Sequence, residues 1–75
     1  MRSLAEIQKG QKVRIISFKN ADIANKLIEM GCLPGEIVML TKTAPLGCPM
    51  AIEVAGYELS LRRQEAAQVN VEALD

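Results

Sequence analysis

The chain has 75 residues, of which 49% are apolar and only two, Phe18 and Tyr57, are aromatic. A chain of this length forms one domain with a small core, and here that core must be built from aliphatic side chains. Nine basic and nine acidic residues cancel to a formal net charge of zero, which disfavours the basic stripe of a nucleic-acid-binding protein.

Neither a membrane span nor a disulfide is expected. The longest apolar run, Ile37 to Leu40, is far shorter than the roughly 20 residues that cross a bilayer, and the N-terminus carries no apolar signal region. Cys32 and Cys48 lack CxxC spacing and no histidine is present, so both thiols are predicted to stay reduced. We therefore expect a cytoplasmic protein that reaches a membrane only through a partner.

A strand and a short helix are predicted in the first half of the chain. Residues 12–18 are rich in β-branched side chains and follow a glycine turn, which favours a strand. Residues 22–30 carry apolar side chains with i, i+4, i+7 spacing, which indicates one helical face. Asn20 or Asp22 can cap this helix, and Gly31 stands where a left-handed residue commonly ends one.

Two corners rich in glycine and proline flank the next strand. The first, Leu33-Pro34-Gly35, has the proline–glycine order of a tight turn. Residues 36–43 then form a strand whose apolar run requires cover on its outer face, from the helix or from another protein. The second corner, residues 44–49, is a loop that carries Leu46 at its tip and Cys48 next to its end.

A hairpin is predicted at residues 50–61, because apolar residues alternate with others on both sides of Ala55-Gly56. The same register sets Glu53 opposite Glu58, a like-charge pair that we expect to be solvated rather than to hold a cation. In this register each apolar residue meets another apolar residue: Val54 meets Tyr57, Ile52 meets Leu59, and Met50 meets Leu61.

One helical turn at residues 63–67 and a closing strand around Val69 and Val71 complete the pattern. Five short strands with a single inserted helix predict a mainly β fold, a small barrel.

Three stretches of the sequence form a distinctive set. They are Lys26-Leu27-Ile28-Glu29-Met30-Gly31-Cys32-Leu33-Pro34-Gly35, Ala44-Pro45-Leu46-Gly47-Cys48-Pro49-Met50 and Leu59-Ser60-Leu61-Arg62-Arg63-Gln64-Glu65-Ala66. With these three stretches in this order, the chain resembles the FeoA family from Leu4 to Val71. FeoA proteins are the small cytoplasmic component of the bacterial ferrous iron uptake system. The resemblance implies an SH3-like barrel that associates with FeoB, a membrane iron transporter with a cytoplasmic GTP-binding domain. The same module resembles the C-terminal domain of iron-dependent repressors of the DtxR type.

The chain departs from that family pattern at two cysteines. Cys32 stands where the family usually has an aliphatic residue, and a thiol packs there like a small hydrophobe. Cys48 stands where the family often has aspartate. The loss of a carboxylate at that position matters if the residue caps the loop or contacts a partner.

The sequence favours neither catalysis nor a bound cofactor. No histidine is present to activate a serine or Cys48 as a nucleophile. Thiols and carboxylates are scattered along the chain, whereas transition-metal sites usually use clustered ligands. We therefore expect that the protein is not an enzyme, holds no cofactor and does not bind ferrous iron tightly on its own.

Two segments are candidate contacts for a protein partner. The helix has a wider apolar stripe than one barrel face needs, so either part of it is an exposed anchor or all of it closes the barrel. In the loop, Leu46 is a large apolar side chain at a rigid tip, beside Cys48. The apolar stripe of the predicted helix consists of Ile23, Leu27, Ile28 and Met30.

Arg62 and Arg63 also have two interpretations. Either is a candidate arginine finger that stimulates GTP hydrolysis by the partner. In the simpler interpretation they pair with Glu58 or Glu65, or cover apolar surface with their aliphatic stems.

The resulting expectation is a cytoplasmic accessory protein that regulates ferrous iron uptake by binding the cytoplasmic G-protein domain of a FeoB-type transporter. It makes no contact with nucleic acid and does not enter the membrane, and it is either a monomer or a homo-oligomer. One alternative is the regulatory module of an iron-dependent repressor, which would need a DNA-binding and dimerisation region before Met1. A second alternative is a thiol-based iron or redox carrier that depends on Cys48.

Overall fold

Six strands form one antiparallel sheet in the computed structural model, which describes residues 2–74. The strands are β1 (Arg2–Ser3), β2 (Lys12–Phe18), β3 (Ile37–Thr43), β4 (Met50–Val54), β5 (Tyr57–Leu61) and β6 (Val69–Ala73). Helix α1 (Ala21–Glu29) joins β2 to β3, helix α2 (Arg63–Ala66) joins β5 to β6, and a 3-10 turn (Leu4–Glu6) follows β1. Across the sheet the strand order is β1-β6-β2-β3-β4-β5.

The predicted mainly β fold is confirmed, with one strand more than expected. The extra strand, β1, pairs its two residues with Val71 and Asn70 of β6. Two residues are too few to show a period of alternation, so the sequence carries no signal for them. Helix α1 begins and ends one residue before its predicted bounds. Its cap is Asn20, whose Oδ1 accepts hydrogen bonds from the backbone N–H groups of Asp22 and Ile23 at 2.8 and 3.3 Å.

The hairpin has the predicted register. Ala55 and Gly56 both have positive φ, +52° and +86°, as the tight turn of a two-residue hairpin requires. Glu53 lies opposite Glu58 as predicted. Glu58 is relieved by a cation, because the Lys42 ammonium lies 3.7 Å from its carboxylate. The apolar pairs are Val54 with Tyr57, Ile52 with Leu59, and Met50 with Leu61.

One aliphatic core holds the sheet and α1 together. Bulges interrupt the pairing of β2 with β6 and of β3 with β4, and a bulge bends its strand, which lets a single sheet wrap around one core. On the outer face of β3, where cover was expected, Ile37 remains 46% exposed. The large side chains with almost no exposed surface are Leu4, Ile15, Leu27, Met50, Ile52 and Leu61.

Helix α1 ends in a paired cap that a tyrosine covers. The N–H of Gly31 bonds the carbonyl of Ile28 at 3.0 Å, and the N–H of Cys32 bonds that of Leu27 at 2.9 Å, which is the Schellman arrangement. The Tyr57 hydroxyl donates to the Met30 carbonyl. It occupies the space that a Cβ on Gly31 would need. Hairpin β4–β5 is thereby attached to the end of α1.

A buried carboxylate joins the two helices. Glu65 of α2 is 9% exposed; it accepts a hydrogen bond from the Lys26 ammonium of α1 and a second one, at 2.9 Å, from the N–H of Arg62. The hydrogen bond from Lys26, followed by that from Arg62, lowers the pKa of Glu65 below its ordinary value, against an opposing effect of burial. The carboxylate is therefore charged over the whole neutral range.

Gly31→Ala should lower the free energy of unfolding for two separable reasons. A positive φ of +95° costs an L-residue about 1–2 kcal/mol, and the new Cβ overlaps the Tyr57 hydroxyl. Tyr57→Phe removes that overlap and loses one hydrogen bond, which costs about 1 kcal/mol. In a double-mutant cycle followed by urea unfolding, Gly31→Ala should therefore be less costly in the Tyr57→Phe background.

Gly35→Ala is the matched control for this cycle. Gly35 has nearly the same φ, +92°, but apart from its chain neighbours no heavy atom lies within 4 Å of the position that a Cβ on Gly35 would occupy, so only the backbone cost applies. If Gly31→Ala and Gly35→Ala lower the free energy of unfolding equally, and Gly31→Ala shows no coupling to Tyr57→Phe, the close approach of the Tyr57 hydroxyl to Gly31 is contradicted.

Glu65→Gln should destabilise the protein at neutral pH by about 1–2 kcal/mol, because the ion pair with Lys26 becomes an ammonium–amide hydrogen bond and the bond from the Arg62 N–H becomes a neutral one. Since the pKa of Glu65 is lowered on folding, its contribution is complete above the unfolded pKa of about 4.3 and is lost as the pH falls through the folded pKa. The stability difference between wild type and Glu65→Gln should shrink from pH 7 to pH 3.

The pKa of Glu6 is also lowered, by the hydrogen bond from the Ser3 N–H, but Glu6 is present in both proteins and its effect cancels in the difference. Urea unfolding followed by circular dichroism measures both curves. A difference that stays constant down to pH 3 would refute the role given to the Glu65 charge.

Candidate functional site

The apolar stripe of α1 lies mostly in the core. Leu27 has no exposed surface, so its assignment as a partner contact has to be corrected: it fills the centre of the barrel. Ile23 and Met30 are partly buried and pack against the core. Of the stripe residues, Ile28 alone presents substantial surface, with 40% of the residue exposed. The wide stripe therefore serves mainly to close the barrel.

Three apolar side chains surround the C-terminal end of α1, and we call them the helix-end patch: Ile28, Leu33 and Tyr57. Each is 40–44% exposed. The backbone of Leu33 is tied to this end by an N–H bond to the Gly31 carbonyl at 3.1 Å. Leu33 and Tyr57 were not predicted as contacts, since the tyrosine was assigned to the hairpin pairs. The sequence gives little indication that they are exposed, because Leu33 lies in a turn and Tyr57 begins a strand, and periodicity does not decide burial at such positions.

Loop 44–49 presents the most exposed large apolar side chain of the described residues. Leu46 is 96% exposed. The loop is nevertheless held in shape, because the N–H of Gly47 bonds the Ala44 carbonyl at 2.7 Å and the N–H of Ala44 bonds the Pro49 carbonyl at 3.2 Å. Leu46 therefore protrudes from a defined turn.

Cys48 caps the beginning of α2. Its Sγ accepts a hydrogen bond from the backbone N–H of Arg63 at 3.4 Å. This N–H belongs to the first turn of a helix and has no partner within the helix. The residue at position 48 thus joins the loop to α2, a role that an aspartate performs better than a thiol. Cys32, in contrast, is buried, and this burial raises the pKa of its thiol.

The arginines do not form the ion pairs that we expected. The carboxylate of Glu58 faces Lys42 and that of Glu65 faces Lys26; in residues 2–74 no guanidinium of Arg62 or Arg63 joins an ion pair. The physical reason is that Lys26 reaches Glu65 across the two helices, a contact between positions far apart in sequence. Arg62 and Arg63 are exposed.

The loop and the first turn of α2 are neighbours. The Arg63 guanidinium lies 3.6 Å from the position that a Cβ on Gly47 would occupy. Among the predicted contacts, the structure therefore brings together Leu46, Cys48 and Arg63, with Arg62 adjacent in sequence. Ile28 lies in the separate helix-end patch.

A groove of about 630 Å³ begins at the base of the same loop. Ala44 and Pro49 form the side next to the loop, and the cationic side chains on its walls are Lys9 and Lys42. The remaining polar groups include the Glu58 carboxylate and the Ser60 hydroxyl. In the described part of the chain, no three side chains of His, Cys, Asp or Glu are arranged to hold a metal ion. No helix over residues 2–74 is long and apolar enough to span a bilayer.

Cys48→Asp should stabilise the protein. A carboxylate accepts the Arg63 N–H more strongly than a thiol and places negative charge at the N-terminal end of α2, so we expect a gain of about 0.5–1 kcal/mol at neutral pH. Cys48→Ala, which removes the acceptor, should lose a similar amount. Thermal unfolding at pH 7 should give the highest melting temperature for Cys48→Asp, the next for wild type and the lowest for Cys48→Ala. If Cys48→Asp is less stable than Cys48→Ala, the capping role is excluded.

The fold and sequence match known proteins over nearly the whole chain. Residues 2–73 match the FeoA domain family. An FeoA-like protein from Clostridium acetobutylicum is 34% identical with a TM-score of 0.91, over 97% of this chain and 86% of that one. An FeoA from Stenotrophomonas maltophilia, solved with zinc and described as a prokaryotic SH3 domain protein, is 28% identical with a TM-score of 0.81, over 96% of this chain and 91% of that one. The predicted SH3-like fold is confirmed.

One relative combines this domain with a transporter. A fusion of Fe(2+) transport protein A and the Fe(2+) transporter FeoB from Porphyromonas gingivalis is 31% identical over 72 residues, which are 95% of this chain and 8% of the fusion. The chain thus spans less than a tenth of that relative. The manganese regulator SloR has the same fold, with a TM-score of 0.83 at 15% identity over 97% of this chain and 34% of that one. The match over residues 2–73, with the core and loops described above, places the chain in the FeoA family.

Proposed function

We propose that this protein is a cytoplasmic accessory protein of ferrous iron uptake, and that it acts by binding the cytoplasmic G-protein domain of a FeoB-type transporter. The observation that carries the proposal is the Porphyromonas gingivalis fusion, in which a relative of this chain and FeoB are one polypeptide. Covalent linkage holds two modules at a high effective concentration. Such a fusion is useful when the modules work in contact, and a separate chain must achieve that contact by affinity.

The surface supports a binding role. Large apolar side chains remain exposed at Leu46, in the helix-end patch and at Ile37 of β3. An apolar side chain that is almost wholly exposed, as Leu46 is, suits a partner's pocket because its burial there removes its whole surface from water. The repressor-module alternative has support from the fold alone, since the regulator compared above is only 15% identical.

Binding to the transporter is the direct test. The full-length FeoB-type transporter of the same organism, in lipid nanodiscs, is immobilised without nucleotide, with GDP or with a non-hydrolysable GTP analogue, and the protein is titrated over it. We expect saturable binding at micromolar concentration or below in at least one nucleotide state. The matched control is the isolated SH3-like domain of a metal-dependent regulator, which shares the fold. Binding no stronger than this control in all three states would refute the proposed function.

A further inference from the structure

We propose that the protein docks on its partner through the loop surface, which we define as Leu46, Cys48, Arg62 and Arg63 with the adjoining groove. The partner presents an apolar pocket that receives Leu46, surrounded by carboxylates that face the arginines and the groove lysines. This inference rests on the proposed function and specifies where, and with what chemistry, the contact is made.

Leu46 has the properties of an anchor residue. Leu46 is 96% exposed, so folding gains almost nothing from its side chain, whereas burial in a pocket removes the whole apolar side chain from water. The other exposed apolar side chains are already more than half covered and have less surface to contribute. An anchor that is fully exposed in the free protein is the kind of side chain from which a partner gains most.

The loop that carries Leu46 is organised before binding. Two backbone hydrogen bonds close it, between Gly47 and Ala44 and between Ala44 and Pro49. The Cys48 Sγ fixes its far end to the Arg63 N–H. Binding therefore has little loop entropy to remove, which favours affinity.

Charge determines the chemistry of the partner. The guanidinium groups of Arg62 and Arg63 are outside the ion pairs of the described residues, because the nearest acidic residues in sequence, Glu58 and Glu65, face lysines. Lys9 and Lys42 line the adjoining groove, where Glu58 is the acidic residue. A chain with zero net charge thus has a local excess of positive charge beside its most exposed apolar side chain. The complementary surface is acidic.

The helix-end patch has the opposite character. Its apolar side chains are flanked in sequence by Glu29 and Glu36, both of which lie outside the ion pairs of residues 2–74. The Tyr57 hydroxyl is already used inside the protein, bonded to the Met30 carbonyl. An acidic partner surface would be repelled there, so variants of the two surfaces distinguish the sites.

The test compares affinities for the same full-length transporter in nanodiscs. Leu46→Ala should weaken binding by about 10- to 50-fold, because alanine buries less apolar surface in the partner's pocket than leucine does. Arg62→Glu/Arg63→Glu should weaken it by at least about tenfold through like-charge repulsion. Raising the salt from about 50 to about 500 mM, which shortens the screening length to a few ångströms, should weaken wild-type binding much more than that of the double variant.

Two control variants make changes of the same kind outside the loop surface, the charge control with one reversal instead of two. Ile28→Ala removes an exposed apolar side chain from the helix-end patch, and Lys19→Glu reverses an exposed charge between β2 and α1. Both should bind within about threefold of wild type, the range expected for residues outside an interface. Thermal unfolding confirms that all four variants fold, and Leu46→Ala should leave the melting temperature unchanged because the side chain is almost fully exposed.

The outcomes separate the two proposals. If wild type binds and the two loop-surface variants bind as tightly, the docking surface is refuted and the proposed function stands. If Ile28→Ala weakens binding while Leu46→Ala does not, the site is the helix-end patch and the inference is again overturned. If wild type does not bind, the proposed function and the docking surface both fail.

Discussion

The buried carboxylate of Glu65 is the contact on which the arrangement of the surface depends. It is the one charged side chain that is buried among residues 2–74, and it connects α1, through Lys26, to the first turn of α2, through the N–H of Arg62. The Arg62 and Arg63 side chains of the same turn are exposed. The next N–H, that of Arg63, is directed at Cys48 and holds the loop. One ion pair thus positions two helices and the loop that presents Leu46.

Local patterns in the sequence predicted the elements well, and contacts between distant segments account for the differences. The hairpin register follows from alternation across a two-residue turn, where a slip by one residue would mismatch every apolar pair. Strand β1 escapes such reasoning, because its pairing joins Arg2 to Val71, nearly the full length of the chain apart. The Schellman end of α1 was predicted through Gly31, but the tyrosine that covers it comes from the hairpin.

The candidate site was less accessible to sequence reasoning, since burial is decided by how elements pack. Four apolar residues on one helix predicted either an anchor or a core face, and the depth at which α1 sits decides in favour of the core for Leu27. Glu58 and Glu65 each had an arginine close by in sequence, yet lysines from β3 and α1 reach them. Leu46 was identifiable because a large apolar residue between proline and glycine has no strand or helix to bury it.

The position of Tyr57 makes the molecule its own optical reporter. It is the single tyrosine of a chain without tryptophan, so nearly all of the intrinsic ultraviolet fluorescence originates at one place, where the tyrosine hydroxyl bonds the end of α1. A tyrosine that donates a hydrogen bond to a carbonyl emits differently from one in water. Separation of α1 from the hairpin therefore has an intrinsic signal that comes from a single tyrosine.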